Sequence, residues 1–341
     1  MSRRFLSQTP LDVKLTQAAR NAVGTCLGVR ADERCTLIVE RSMVTLSATF
    51  EHALRELGCA LTIFRLDAEA CADPKVVDEV LTRLRASDAS LLISTPEGIP
   101  ASLRRRVCAE TRTRRHAHMP GLTTSMMYQS MRADYREVQR LGERLIGELA
   151  RGGTLRVRTP RGTDLSVEIE PRFRWHNEGG ILRAPGWMNL PAGEVITTPG
   201  SVDGVLVPDG GAYDEEAEAF PSSLRMTMRF EGGALVDLDG PTEDTTRLLA
   251  ILDGAKNGRR VGQVAFGTNL GVLAQVGELL QDLKLPGFHL SFGHSAPELT
   301  GAEWESPIEC PVLIRKPDVD FGDLPILRGG KYVDRLREPQ L

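Results

Sequence analysis

Short apolar runs alternate with amphipathic stretches along the first part of the chain. Residues 34–40 read RCTLIVE, a β-branched run typical of a strand, and residues 61–66 (LTIFRL) and 89–95 (ASLLIST) are two further apolar runs. Residues 47–60 and 74–87, between these runs, carry apolar side chains at helical spacing. Gly58 stands where a glycine commonly ends a helix. The pattern predicts strand, helix, strand, helix, strand.

This order favours a doubly wound parallel sheet. The run at residues 89–95 is almost continuously apolar, as expected of a parallel strand that is buried on both faces. Repeated strand–helix–strand units form parallel sheets with right-handed crossovers. A mixed α+β arrangement without that topology is the alternative.

The pattern changes near Gly152 and Gly153, which follow a long amphipathic helix. Beyond them, strand-like alternation is interrupted by glycine turns, and one clear helix is predicted at residues 242–258 (TEDTTRLLAILDGAKNG). We therefore predict an α/β domain over residues 1–150 and a β-rich α+β domain over residues 151–341.

Composition narrows the class of protein. The 341 residues suit about two domains of roughly 150 residues each. A net charge of −4 gives no general case for binding nucleic acid. The six cysteines are scattered, with no C-x-x-C and no zinc-finger spacing, which indicates reduced thiols. The N-terminal stretch has no signal-peptide pattern and no apolar run reaches membrane-spanning length. We expect a cytoplasmic protein that does not bind a membrane.

Two histidines and two glutamates near the C-terminus suggest a metal site. His289, His294, Glu298 and Glu309 supply the nitrogen and oxygen ligands of a catalytic type of site, with one position open to water. The alternative is a strand histidine followed by a loop histidine, because residues five apart on a strand point to opposite faces.

Two other stretches carry candidate chemistry. Glu194, in GWMNLPAGEVITTPG (186–200), follows a Pro and a Gly and suits metal ligation or the binding of an ammonium group; an exposed turn glutamate is the alternative. Residues 104–118 (RRRVCAETRTRRHAH) contain six arginines, which suit an acidic peptide or a phosphate, or else form a solvated helix face. The chain has no glycine-rich nucleotide motif, and we predict no cofactor.

Several stretches together resemble a known superfamily. They are NLPAGEVITTPG (189–200), FGTNLGVLA (266–274), FHLSFGHSAPELTG (288–301), SPIECPVLIRKPDVDF (306–321) and ILRGGKYV (326–333). As a set they are similar to the M29 aminopeptidases, the aminopeptidase T and S group, and to the related non-haem iron 2,5-dihydroxypyridine dioxygenases. The resemblance covers nearly the whole chain and implies an N-terminal α/β domain followed by a β-rich domain.

The resemblance also implies which residues stand at the metal positions. A metal-binding glutamate of the aminopeptidases matches Glu194, and a histidine matches His289. The ligand before the GTN motif falls on Gln263, a tyrosine falls on Ala296, and the closing His-x-Asp falls on Glu309 and Pro311. Gln is a poor ligand and Pro has no side-chain donor, so the facial triad of an iron dioxygenase is not present. Two of the aminopeptidase ligands remain, too few to bridge two cations.

We therefore expect a peptide-binding protein on an enzyme scaffold that has lost its metal. The predicted peptide-binding residues are Glu194, Gln263, His289, His294 and Glu309; any metal that did bind would use Glu194, His289, His294 and Glu309. An extended peptide would be held by main-chain hydrogen bonds, with pockets for alternate side chains.

The resemblance also implies which partners this protein binds. The chain is similar to the peptide-binding proteins of pathways that modify ribosomally made peptides, such as crocagin biosynthesis. This implies a precursor peptide as ligand, tailoring enzymes as further partners, and a homodimer, since the group commonly forms one. The alternatives are a metal-dependent aminopeptidase or iron dioxygenase with a rearranged site, and a metal-independent peptide cyclase or isomerase using Glu194, His289 and Glu309 as acid and base.

Overall fold

The protein is represented by a computed structural model that describes residues 12–337 except 215, 217 and 222. Most of the N-terminal stretch in which we found no signal-peptide pattern, residues 1–11, lies outside the described residues. The chain divides into two compact units, residues 1–135 with 180–191 and residues 136–179 with 192–341. Each unit is built from segments that are distant in sequence.

Most of the amphipathic stretches predicted from the sequence form helices in the structure. They are α1 (Val13–Arg20), α2 (Val44–Leu57), α3 (Ala68–Ala72), α4 (Pro74–Arg85), α5 (Ala101–Glu110), α6 (Thr124–Tyr128), α7 (Tyr135–Leu149), α8 (Thr242–Gly254), α9 (Leu279–Asp282), α10 (Pro297–Thr300) and α11 (Asp334–Arg337). A π-helical segment continues α1 over Asn21–Cys26, and short 3-10 turns cover Ser130–Arg132 and Ser223–Arg225.

The strands are more numerous in the second half. They are β1 (Arg34–Glu40), β2 (Ala60–Leu66), β3 (Ala89–Ser94), β4 (Arg115–Pro120), β5 (Gly153–Arg158), β6 (Asp164–Ile169), β7 (His176–Glu178), β8 (Gly186–Asn189), β9 (Glu194–Thr197), β10 (Ser201–Leu206), β11 (Gly211–Ala212), β12 (Thr227–Glu231), β13 (Ala234–Asp239), β14 (Val261–Gly267), β15 (Gly287–Gly293), β16 (Glu309–Ile314), β17 (Asp318–Phe321), β18 (Leu324–Arg328) and β19 (Lys331–Tyr332).

The first unit contains the predicted parallel sheet. Its described strands pair in the order β2-β1-β3-β4-β8, and every pairing is parallel. β3 is buried along its whole length, which explains its continuous apolar sequence. Gly58 ends α2 in the left-handed conformation, with φ of 79°. The prediction of a doubly wound α/β fold is confirmed.

The second unit is β-rich, as predicted. Its described strands form an antiparallel sheet in the order β13-β12-β10-β6-β5-β17-β18-β19 and a second sheet, here called the site sheet, in the order β11-β16-β15-β14-β9-β7. Apolar side chains of both sheets join one core, for example Val157 of β5 and Phe288 of β15. Helix α8 contributes Leu248 and Leu252 to the same core.

The two compact units divide at the start of α7, whereas the predicted boundary follows this helix at about residue 150. The reason lies in the packing of α7, because Leu141, Leu145 and Leu149 are buried in the core of the second unit. The chain then returns to the first unit at residues 180–191 to supply the edge strand β8. Local sequence patterns carry no signal for such a return.

Within the described part of the chain, no helix combines the length and the apolar character needed to cross a bilayer. All six cysteines are free thiols.

Candidate functional site

The site sheet presents an apolar face to the core and a mixed polar face on its other side. Side chains alternate between the two faces of a strand. Val195, Phe266 and Phe288 belong to the core of the second unit. The alternate positions form the other face, here called the site face, and include Glu194, Gln263, His289 and Ser291. Register supports this arrangement, since Gln263 lies opposite Ser291 and Ala265 opposite His289.

Glu194 has two close partners on the site face. One carboxylate oxygen, Oε1, lies 2.6 Å from Nε2 of His289. The other, Oε2, contacts the ammonium group of Lys284 in an ion pair. The Lys284 ammonium also lies 3.8 Å from Glu178 Oε2. The glutamate that resembles a metal ligand therefore already has a cation from its own chain.

The charges of neighbouring side chains determine the protonation state of Glu194. Desolvation opposes ionisation of Glu194, but the charges and hydrogen bonds of Lys284 and His289 outweigh it and lower its pKa to about 2. Desolvation likewise opposes the charge of Lys284, but Glu194 and Glu178 raise its pKa. An ionised carboxylate only accepts hydrogen bonds, so His289 Nε2 carries the proton it shares with Glu194. With such a low pKa, Glu194 is a weak base at neutral pH.

Glu309 has the opposite behaviour. Its pKa is raised to about 7, first by desolvation and then by the negative charges of Glu194 and Glu178; Lys284 and a hydrogen bond from Ser291 act against the rise. Glu309 is an exposed residue at the start of β16, so water weakens the desolvation that raises this pKa. Glu309 is thus a carboxyl group that can exchange its proton near neutral pH.

Gln263 links Glu309 to the next loop. Its Nε2 group donates to the carbonyl of His294 at 2.9 Å and lies 3.3 Å from Glu309 Oε1. The imidazole of His294 accepts a hydrogen bond from the backbone N–H of Ala296 at 3.2 Å. The His294 imidazole is therefore engaged by the loop that follows β15.

His294 lines an open groove of about 1020 Å³ in the second unit. Trp304 and Ser306 form part of its wall, together with Glu303 and Glu305. The Trp304 indole N–H and the Ser306 hydroxyl are buried without a hydrogen-bond partner. Both atoms are almost completely withdrawn from solvent, so they do not face the open space of the groove. Arg260 covers one face of the Trp304 ring, its guanidinium 4.1 Å from the ring centre.

The motifs that carry the family resemblance meet in a turn next to Glu194. The backbone N–H of Thr268 donates to the Gly193 carbonyl at 2.8 Å, and the Asn269 side chain donates to the Ala192 carbonyl at 2.7 Å. A Cβ on Gly193 would lie 2.6 Å from Asn269 Cβ, and the φ of Gly193 is 124°. Tyr332 donates its hydroxyl to the Gly267 carbonyl at 2.7 Å. These contacts hold the start of β9, and with it Glu194, in place.

The same turn positions Lys284. The backbone N–H of Asn269 donates to the Lys284 carbonyl at 3.0 Å. Sequence reasoning missed Lys284, which is not part of any motif. The one available signal was a lysine within the apolar run LKLPGFHL, where a charged residue needs a buried partner.

The site face does not fit the metal that the resemblance implies. Both Glu194 oxygens are engaged by Lys284 and His289. Gln263 uses its N–H group towards His294, and Pro311 lies opposite Ser291 in the sheet without a side-chain donor. Among the described residues, the only three metal-binding side chains that converge within 4.8 Å lie in the other unit.

The arginine-rich stretch is divided between two elements. Residues 104–106 lie on α5, whereas Arg115 begins β4. Arg115 donates to Glu33 at 2.6 Å and to the carbonyls of Leu27 and Gly28, so it is a structural residue. The stretch is therefore not a single basic surface.

Comparisons with known proteins agree with the predicted fold. No protein-family model matches the chain, and no curated protein matches it. A 2,5-dihydroxypyridine dioxygenase from Pseudomonas putida matches with a TM-score of 0.68 at 17% identity, over 95% of this chain and 98% of that one. Wild-type AmpT from Thermus thermophilus matches with a TM-score of 0.64 at 18% identity, over 94% and 99%. At such identities these similarities show a shared fold.

Proposed function

We propose that the protein binds an extended peptide along the groove beside His294 and uses no metal at the site face. The observation that carries this proposal is the ion pair between Lys284 and Glu194. The Lys284 ammonium supplies the positive charge that the resemblance assigns to a metal ion. A carboxylate engaged in this way holds the site together and does not activate water.

The groove supports a peptide as ligand. A tryptophan, two prolines, two glutamates and Lys256 are among the residues that line it, a combination that suits an extended chain with apolar and charged side chains. In this proposal His294 and Glu309 contact the peptide, while Glu194, Gln263 and His289 hold them in position.

A more specific proposal concerns the pathway in which the bound peptide is modified. The resemblance to peptide-binding proteins of ribosomal peptide modification favours a precursor peptide as the ligand, presented to tailoring enzymes. We also expect a homodimer on the basis of the same resemblance. Sedimentation equilibrium at micromolar concentration tests this, and a mass equal to one chain would contradict it.

Selection from a library of random linear peptides tests peptide binding directly. We expect enrichment of peptides that bind with an affinity on the order of micromolar by calorimetry. Trp304→Ala should weaken binding of an enriched peptide by about tenfold, because aromatic side chains dominate such contacts. Trp187→Ala removes a partly exposed tryptophan of the other unit and is the matched control. Equal effects of the two substitutions, or no enrichment, would contradict the proposal.

Glu309 supports a second candidate function, a metal-independent isomerase or cyclase that acts on the bound peptide. A carboxyl group with a pKa of about 7 is suited to exchange protons with a substrate at neutral pH. Incubation of an enriched peptide with the protein, followed by mass spectrometry and NMR, separates the two functions. NMR is needed because isomerisation leaves the mass unchanged. A product that forms with wild type and not with Glu309→Gln would favour the enzyme.

A further inference from the structure

Three metal-binding side chains meet in the first unit, apart from the site face. Cys108 lies on α5, while His116 and His118 lie on β4 two residues apart and so on the same face of the strand. His116 Nε2 is 3.4 Å from His118 Nδ1, and Cys108 Sγ is 3.7 Å from the same Nδ1. All three ligand atoms lie within 4.8 Å of one another.

These distances match ligands around one ion. Zinc–nitrogen bonds of about 2.05 Å and zinc–sulfur bonds of about 2.3 Å at tetrahedral angles separate two nitrogens by about 3.3 Å, and a nitrogen from a sulfur by about 3.6 Å. A direct hydrogen bond between two imidazoles would be shorter than the observed separation, at about 2.7–3.2 Å. The 3.7 Å separation of Cys108 from His118 also suits a thiol hydrogen bond, so these two separations are compatible with a shared cation and with the metal-free protein alike.

The outer contacts of the histidines also suit metal binding. Ser90 Oγ lies 2.8 Å from His116 Nδ1 and so occupies the nitrogen that faces away from His118. Metal-binding histidines commonly use their second nitrogen in this way, which fixes the orientation of the ring.

We propose that Cys108, His116 and His118 bind one Zn²⁺, with the fourth position taken by a ligand from solvent. His116 is fully buried and Cys108 is half-buried, so the open position lies on the Cys108 side. Trp187, which is 46% exposed, packs the edge of its ring against His118 with 6.0 Å between ring centres. Desolvation raises the pKa of the Cys108 thiol to about 11, and Arg104 acts against this rise, so the thiol keeps its proton until a metal binds. The positive charge of Arg104 opposes the cation, and the thiolate formed on binding compensates for that repulsion. Binding would displace the thiol proton to solvent.

The experiment uses the full chain after removal of metals with a chelator. Titration with Co²⁺ should give one equivalent of tetrahedral cobalt with a thiolate-to-cobalt charge-transfer band, and Zn²⁺ should displace it. Cys108→Ser, nearly isosteric with the wild type, should abolish the charge-transfer band. Cys71→Ser removes another half-buried cysteine of the same unit and should leave the band intact. Ser90→Ala should weaken Zn²⁺ binding by about 10- to 100-fold.

Two results would overturn this proposal alone, and a third would overturn it together with the proposed function. One is a folded wild-type protein, verified by circular dichroism, that gives no cobalt–thiolate band. The other is a band that survives Cys108→Ser. Glu194→Gln should leave cobalt binding unchanged. Loss of cobalt in that variant alone would place the metal at the site face and contradict the proposed function as well. The two proposals can therefore fail separately.

Discussion

The side chains of Lys284 and Glu194 are 5% and 9% exposed, so their ion pair is almost completely withdrawn from water. Removing one partner of a buried pair leaves the other charge without compensation, which commonly costs about 3–5 kcal/mol. We expect Lys284→Ala to lower the free energy of unfolding by about 3 kcal/mol in urea denaturation. The double variant Lys284→Met with Glu194→Gln should be distinctly more stable than Lys284→Ala, because it leaves no unpaired charge.

An exposed ion pair provides the control for this prediction. The side chains of Arg259 and Asp253 are 39% and 53% exposed, and such pairs contribute less than about 1 kcal/mol. Arg259→Ala should therefore have a small effect. A loss of stability in Lys284→Ala no larger than that in Arg259→Ala would show that the buried pair is not a structural link.

Glu309 predicts a dependence of stability on pH. Its folded pKa of about 7 lies above its usual value of 4.5, so the folded protein binds more protons than the unfolded chain between these values. Stability therefore falls as pH rises through this interval. Glu309→Gln should remove that fall, and its unfolding midpoint relative to wild type should rise between about pH 5 and pH 8. Glu305→Gln, at an exposed position nearby, is the control, and parallel curves for wild type and Glu309→Gln would contradict the prediction.

Individual residues of the site were predictable to different degrees. Glu194 and His289 stand in motifs, and the structure places their side chains 2.6 Å apart. Lys284 is 90 residues from Glu194 along the chain and is held by the backbone of Asn269. A contact of this kind depends on the register of distant elements, which no local pattern reports. Cys108 and His118 are only 10 residues apart along the chain, and their contact was missed because it depends on how α5 lies against β4, which residue spacing does not report.

Where an element is uniformly buried, its bounds in the structure agree closely with those predicted from the sequence. The predicted strand at residues 34–40 is β1, Arg34–Glu40, and the predicted helix that ends at Gly58 is α2. These elements have the period and the end signals that backbone geometry requires. The turn before β9 is different, because its shape depends on a close approach between Gly193 and Asn269 that only the folded chain contains.

This turn gives a prediction at the level of elements. A methyl group at Gly193 would meet both the backbone and the side chain of Asn269, at a φ of 124° that L-residues rarely adopt. Gly193→Ala should therefore cost about 3 kcal/mol or more of unfolding free energy. Gly232→Ala is the matched control, since its φ is also positive, at 58°, but no atom lies within 4 Å of the added methyl group. It should cost about 1 kcal/mol. Equal losses would show that steric contact with Asn269 is unimportant.

The course of the whole chain determines which fragments can fold. Residues 1–150 form the α/β domain that the sequence predicts, yet this fragment lacks β8, the edge strand beside β4. It also carries α7, whose Leu141, Leu145 and Leu149 are buried in the core of the second unit. In the isolated fragment these leucines would be exposed to water, and the edge of β4 would lack its hydrogen-bonding partner. Both features favour aggregation.

We therefore expect the fragment of residues 1–150 to aggregate or to unfold at lower urea concentration than a redesigned fragment. The redesigned fragment joins residues 1–135 to residues 180–191 through a flexible glycine–serine linker. It restores the parallel pairing of β4 with β8 and omits most of α7. Dispersed amide signals in NMR and a cooperative urea transition would show that it folds. If residues 1–150 gave an equally cooperative transition at the same urea concentration, the edge strand would contribute nothing to the stability of the first unit. The α/β domain would then end after α7, as the sequence pattern predicts. The packing of α7 and the pairing of β8 are the two structural reasons for dividing the compact units at the start of α7 instead.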